Sequence, residues 1–237
     1  MENAEDKKAP PTNVAQALNV AESELTASRI FFGHGTDNAW DEAVQLVLAA
    51  LGLPADSNDS VLSAAVSAPA WERLQAMLHR RIEERVPLPY LTGVAWFAGL
   101  SFTCDERAII PRSPLAEVIL NNFKPWYSGP EPTRLLDLCC GGGCIGLAAA
   151  HYHHGLTVDL VDLDPQALAL AGENIARHSL QQRVRALHSN LFSEVGQARY
   201  DLILSNPPYV DASDLAGMPA EYHHEPALAL AVGDTQG

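Results

Sequence analysis

The sequence predicts an α/β fold: a parallel sheet in the second half of the chain, a small helical domain in the first, and a β-hairpin between them. Three observations carry this. From Arg134 onward, short apolar runs alternate with helical stretches, which implies parallel strands joined by right-handed crossovers. Before Pro87 the apolar residues recur at helical spacing instead. Between these regions, two short strand-like runs flank Ala98-Gly99.

Composition excludes several classes. Apolar residues make up 47% of the 237 and charged residues 19%, a balance of globular rather than disordered chains. Charge is 15 basic against 29 acidic, a net −14, and residues 200–237 hold six carboxylates with no Lys or Arg. A protein that grips a phosphate backbone shows a basic stripe. None is visible, so no direct nucleic-acid binding is expected, and an acidic surface suits a basic partner. Plain solubility explains the charge equally well. No apolar run approaches the ~20 residues of a membrane span. Cys104, Cys139, Cys140 and Cys144 contain no CxxC pair, so reduced thiols and no metal site are expected, as in a cytoplasmic protein.

Taken in order, residues 1–25 read as a loose polar leader, without the apolar core of a signal peptide. A helix follows over Ala39–Leu51, capped by Asp37 or Asn38 and ended by Gly52, with Trp40, Val44, Val47, Leu48 and Leu51 on its inner face. A second helix covers Pro69–Val86, burying Trp71, Leu74, Leu78 and Ile82. Val94–Phe97 and Leu100–Cys104 form the hairpin, and Leu115–Phe123 reads as a helix. The sheet then takes strands from Arg134–Cys140, Thr157–Asp162, Arg183–His188 and Tyr200–Ser205, with helices over Ile145–His153 and Pro165–His178.

Chemistry is concentrated in three places. Asp137 opens a glycine turn, Gly141-Gly142-Gly143, between strand and helix, where the backbone can pass close under a ligand. Asp162 ends the next strand and can accept from both hydroxyls of a ribose, although capping the following helix is the plainer role for it and for Asp164. Together these indicate an adenosine-containing ligand, with dinucleotides still open. The third place is Asn206-Pro207-Pro208-Tyr209, directly after a buried strand. An amide nitrogen is a poor nucleophile because its lone pair is delocalised. An Asn oxygen and a rigid Pro carbonyl can hold its two N–H groups, and Tyr209 can pack against the amide plane.

Asn206-Pro207-Pro208-Tyr209, the glycine turn and Asp162 together resemble the protein-(glutamine-N(5)) methyltransferases, the HemK-like family. Pro89-Tyr90-Leu91-Thr92-Gly93, Ile110-Pro111-Arg112-Ser113-Pro114 with Glu117, and His224-Glu225-Pro226 resemble its ribosomal-protein branch rather than the release-factor branch. The resemblance implies S-adenosylmethionine as cofactor and, as partner, a basic large-subunit ribosomal protein, number three. It implies a Rossmann-like class I methyltransferase sheet in the order 3-2-1-4, with the remaining strands missing from a truncated chain. Strand four would then be an open edge, with Ile203 and Leu204 under-packed and an irregular chain after Tyr209.

The implied boundaries are a leader over 1–25, a helical substrate-recognition domain over 26–88, hairpin and linker over 89–132, and an incomplete catalytic domain over 133–237. Asp137 would belong to the cofactor site, where the loop of Cys139, Gly141, Gly142 and Gly143 would hold the methionine end, Asp162 the ribose, and Asn190 with Leu191 the adenine. Asn206, Pro207, Pro208 and Tyr209 would hold the glutamine. Asn190 stands where the family has Asp, which implies weaker cofactor affinity rather than loss. A nucleic-acid amino-group methyltransferase and a non-catalytic binding fragment remain as rival readings.

Overall fold

The computed structural model describes residues 10–230, which divide into two compact units on either side of the Thr92–Gly93 boundary. The first is helical. Where a loose leader is expected, helix α1 spans Val14–Ala27, capped by the Asn13 side chain, which accepts the Gln16 N–H. It carries a stripe of Val14, Ala17, Leu18, Ala21 and Leu25 that is buried against α2 (Ala39–Leu51). Asn38 caps α2, and Gly52 ends it in the left-handed conformation at φ 68°. Helix α3 covers Ala68–Ile82, ending short of Val86, and buries Trp71, Leu74 and Leu78; the short α4 is Leu88–Thr92.

Of the face expected for α2, Val47 and Leu48 are buried and Val44 and Leu51 pack against the helical core, but Trp40 does not join it. The helix buries Ala43, Leu46, Val47, Leu48 and Ala50, while Trp40 lies 45% exposed. Glu42 turns inward to meet Arg81 of α3, with Nε–Oε2 at 2.8 Å and Nη2–Oε1 at 3.0 Å, and both side chains are only 1% exposed. Arg81 also donates to the Phe31 carbonyl at 2.8 Å, which pins the loop before α2.

The second unit begins with strands β1 (Val94–Phe97) and β2 (Leu100–Thr103), paired antiparallel. Ala98 and Gly99 form their turn at φ 49° and 77°, the two left-handed positions of a two-residue hairpin. Helix α5 is Leu115–Leu120 and stops short of Phe123, because Asn122 and Phe123 turn left-handed. There follow β3 (Arg134–Leu138), α6 (Cys144–Tyr152), β4 (Thr157–Asp162), α7 (Pro165–Arg177), β5 (Val184–His188) and β6 (Leu202–Ser205).

The four strands are parallel in the order β5-β4-β3-β6, which is the expected 3-2-1-4. The register pairs Leu138 with both Val161 and Ser205, and Asp162 with His188, so the carboxyl ends share one edge. Among the described residues β6 has one neighbour, and its two apolar residues differ: Ile203 is 52% exposed, whereas Leu204 is 9% exposed and joins the core. After Tyr209 the chain is not irregular as expected. It forms α8 (Ala212–Gly217), a 3-10 turn over Ala220–His224, and α9 (Ala227–Leu230). No helix among the described residues is long and apolar enough to cross a membrane.

Two glycines bring α6 onto the sheet. A Cβ on Gly146 would sit 2.3 Å from Leu160 Cδ2, and one on Gly143, at φ 83°, would sit 2.9 Å from Leu160 Cδ1. Beneath them lies Asp137, fully buried; its Oδ2 accepts the Gly146 N–H at 2.8 Å, and its Oδ1 has no hydrogen-bond partner among the described residues. Burial first, then the Asp162 charge, pushes this carboxyl up from 3.8 to about 7, although the Gly146 N–H pulls it down.

Two outcomes follow from this packing. Arg81→Ala strands the Glu42 charge in the helical core and should destabilise the protein by about 3–5 kcal/mol, measured by urea denaturation. The raised Asp137 means that the folded state holds this proton more firmly than the unfolded chain does. Its contribution to stability is therefore lost as pH rises between 3.8 and about 7. Asp137→Asn should remove that loss, so the difference in stability between variant and wild type should grow in the variant's favour across this window. A difference independent of pH would place the titration elsewhere.

Candidate active site

The shared edge of the sheet carries the candidate site. At the end of β3, Cys139 and Gly141 adopt φ 60° and 53°, so the chain doubles back toward β4. There Asp162 receives it: Gly141 N–H donates to Oδ2 at 2.7 Å, and Asp164 N–H donates to Oδ1 at 3.0 Å. Asp162 thus shapes the glycine turn, and each of its oxygens keeps a lone pair for a ligand. Asp164 caps α7 through the Gln166 N–H, which is the plainer role the sequence allows it. Behind the turn, the buried Asn174 amide donates to the carbonyls of Gly142 and Thr103 at 3.0 and 3.1 Å and accepts the Thr103 N–H at 2.8 Å.

In front of the turn lies a cavity of about 260 Å³. Of the residues singled out from the sequence, Cys139, Gly141, Asp162, Asn190, Leu191, Asn206 and Pro208 line it. Asp137, Gly142 and Gly143 do not. They lie behind the turn, where Asp137 and Gly143 support the close approach of α6 and Gly142 faces α7. The wall beyond Asp162 is apolar, with Val161, Leu163, Ala167 and Leu191. Leu191 is held at φ 49° by Ser189, whose hydroxyl donates to the Leu191 carbonyl at 2.8 Å and accepts the Glu194 N–H at 3.0 Å.

Pro207 and Tyr209 line a second, smaller cavity of about 60 Å³. Asn206 and Pro208 border both cavities, as do Ile109 and Ala229. The Tyr209 side chain is largely open to solvent, with the residue 75% exposed. Ser205 fixes the approach to this segment by donating its hydroxyl to the Leu138 carbonyl at 2.7 Å.

Three charged residues gain a place here that the sequence motifs did not assign. Arg107 lines the larger cavity and is clamped between Asp105 and Glu173, at 2.7 and 2.6 Å, and its guanidinium holds both carboxyls below their usual range. Arg112 and the buried Glu225 pair at 2.9 Å beside the smaller cavity. Both stand next to prolines in stretches quoted above as marks of resemblance, which was the available signal. The thiols are poor nucleophiles here, because burial pushes all four upward, Cys104 to about 12. Among the described residues, no group of three or more His, Cys, Asp or Glu side chains is arranged to hold a metal ion.

The chain is similar in sequence to known methyltransferases. The methyltransferase small domain family matches residues 116–221. The ribosomal protein uL3 glutamine methyltransferase of Francisella tularensis subsp. tularensis is 46% identical over 213 residues, covering 90% of this chain and 68% of that protein. Its counterpart in Xanthomonas campestris pv. campestris is 47% identical over 222 residues, covering 93% of this chain and 71% of the relative. Among solved structures, the hMettl16 catalytic domain overlaps 75% of this chain and 62% of its own, at 14% identity and a TM-score of 0.44. On the identity and coverage of the two curated relatives, this chain belongs to the ribosomal protein uL3 glutamine methyltransferase family.

Proposed function

We propose that the protein transfers a methyl group from S-adenosylmethionine to the side-chain amide nitrogen of a glutamine in ribosomal protein uL3. The observation that carries this reading is the junction of the two cavities at Asn206 and Pro208. A cofactor in the larger space and a side chain in the smaller one would meet at these two residues. The residues present fit such a cofactor: the Asp162 carboxylate lies in the wall for paired hydroxyls, and Val161, Leu163, Ala167 and Leu191 offer apolar surface for a base. Asn190 beside Leu191 supplies an oxygen that can accept from the adenine amino group.

S-adenosylmethionine supplies a methyl group made electrophilic by its sulfonium centre. The protein's own work is to hold and orient the acceptor. The Asn206 side-chain oxygen and the Pro207 carbonyl accept the two amide N–H bonds, fix the nitrogen and favour the positive charge that develops on it. Neither Pro207 nor Pro208 carries a backbone N–H that would compete as a donor. Tyr209, exposed beside the smaller cavity, gives the amide a flat surface. Transfer would form the new C–N bond as the methyl–sulfur bond is broken, and the methylated nitrogen would return its extra proton to water. No base of raised pKa is required for that loss. The acidic chain suits a basic protein partner met in the cytoplasm, and the helical unit is assigned to recognising that partner.

The test is incubation of the protein with uL3 and S-adenosylmethionine, followed by mass spectrometry. One glutamine should gain the mass of a methyl group, and an unmodified uL3 would overturn the assignment. Asn206→Ala should lower the rate about 100- to 1,000-fold while cofactor affinity stays within a few-fold, since one preorganised acceptor at a developing charge is lost. By calorimetry, Asp162→Ala should weaken cofactor binding by about 2–3 kcal/mol through loss of charge-assisted bonds to the ribose. An unchanged dissociation constant would move the ribose away from Asp162.

A further inference from the structure

We propose that Glu225 and Arg112 are positioning residues that set which end of the Asn206 carboxamide faces the acceptor. The proposal rests on the reading of Asn206 given above. A carboxamide presents an accepting oxygen at one end and a donating NH₂ at the other. Only the oxygen suits an acceptor that offers N–H bonds. Something must therefore hold the NH₂ end away from it.

The backbone carbonyl of Arg112 does so. Asn206 Nδ2 lies 3.5 Å from it, at the outer limit of a hydrogen bond. A carbonyl can only accept, so the NH₂ must be the end that faces it, and Oδ1 is left for the cavities that Asn206 borders.

The carbonyl is held in place from a distant part of the sequence. Glu225, whose side chain is wholly buried, accepts the Ile110 N–H at 3.0 Å and lies 2.9 Å from Arg112 Nη1 through both oxygens. The Arg112 guanidinium in turn sits 5.2 Å above the Tyr222 ring. A carboxylate this deep is costly unless it is paired and hydrogen-bonded, so the three contacts lock residues 110–112 against residues 222–225 as one unit. The same stretch continues into Ala229 and Leu230, which complete the wall of the smaller cavity. Loosening the lock should let the Asn206 amide turn over without removing any group that touches the cofactor.

The substitution to test is Glu225→Gln, which keeps an acceptor for the Ile110 N–H but removes the charge that holds Arg112. In the full-length protein it should lower kcat for uL3 methylation about 10- to 100-fold, the scale of a misplaced catalytic group. Calorimetric cofactor affinity should stay within about twofold, which also shows that the variant folds. In an Asn206→Ala background the same substitution should change the rate by less than about twofold, because the residue through which it acts is gone. Equal losses in both backgrounds would reduce the pair to a general structural role and overturn the proposal.

A second readout needs no methyl transfer. In the ¹⁵N–¹H spectrum the Asn206 NH₂ pair is identified by its disappearance in Asn206→Ala. It should shift in Glu225→Gln, and an unmoved pair would overturn the proposal. If the wild-type protein does not methylate uL3, the proposed reaction fails, while this spectrum still decides the orientation of Asn206.

Discussion

The close approach of α6 to the sheet at Gly143 and Gly146 is the constraint on which the site depends. With no Cβ at either position, the first turn of the helix rests directly on Leu160 and over the Asp137 side chain. A larger residue would push α6 outward, and a packed core does not absorb such a shift without strain. Asp137 then ties the helix to β3 through the Gly146 N–H. The turn between them has little freedom left, and it bends across the end of β3 toward β4. The left-handed backbone at Cys139 and Gly141 records that bend. Left-handed backbone at a non-glycine residue such as Cys139 costs energy and persists only where the surroundings enforce it.

Around that constraint, polar side chains do what regular secondary structure cannot do for loops. Asp162 collects two backbone N–H groups, Asn174 serves Gly142 and Thr103, and Ser189 shapes the turn at Leu191. Each loop at the carboxyl edge is thus held by a side chain rooted in a strand, a helix or a strand end. A site assembled in this way keeps its geometry before any ligand arrives, so less ordering cost is left for binding. The wall of the smaller cavity follows the same rule through Glu225, with a charged pair in place of an amide. The helical unit also uses a buried ion pair, Glu42 with Arg81, to hold the loop before α2.

How much was legible in the sequence follows from the reach of each interaction. Helix caps, glycine turns and strand alternation are local. Asn38, Gly52, Ala98-Gly99 and the four sheet strands accordingly lie close to where the residues alone place them. The strand order was implied by the family resemblance, and the gathering of Asp162, Asn190, Leu191 and Asn206 around one cavity follows from parallel pairing, which brings the strand ends to one edge. Helix α1 was hidden because three of the five residues in its buried stripe are small or β-branched (Val14, Ala17, Ala21), and that stripe has value only once α2 lies beside it.

By itself, then, the sequence determined the α/β class, the turn chemistry and the residue types that point to an amide nitrogen. These depend on neighbours a few positions apart. Only the tertiary structure decided that Glu42 turns inward to Arg81, that Asp137 and Gly143 support the cavity from behind rather than line it, and that Glu225 braces Arg112 beside Asn206. The partners in these ion pairs stand 39 and 113 residues apart. Contacts across such distances have no periodicity or spacing that a single sequence can display, and they arise only when burial makes an unpaired charge too costly to leave.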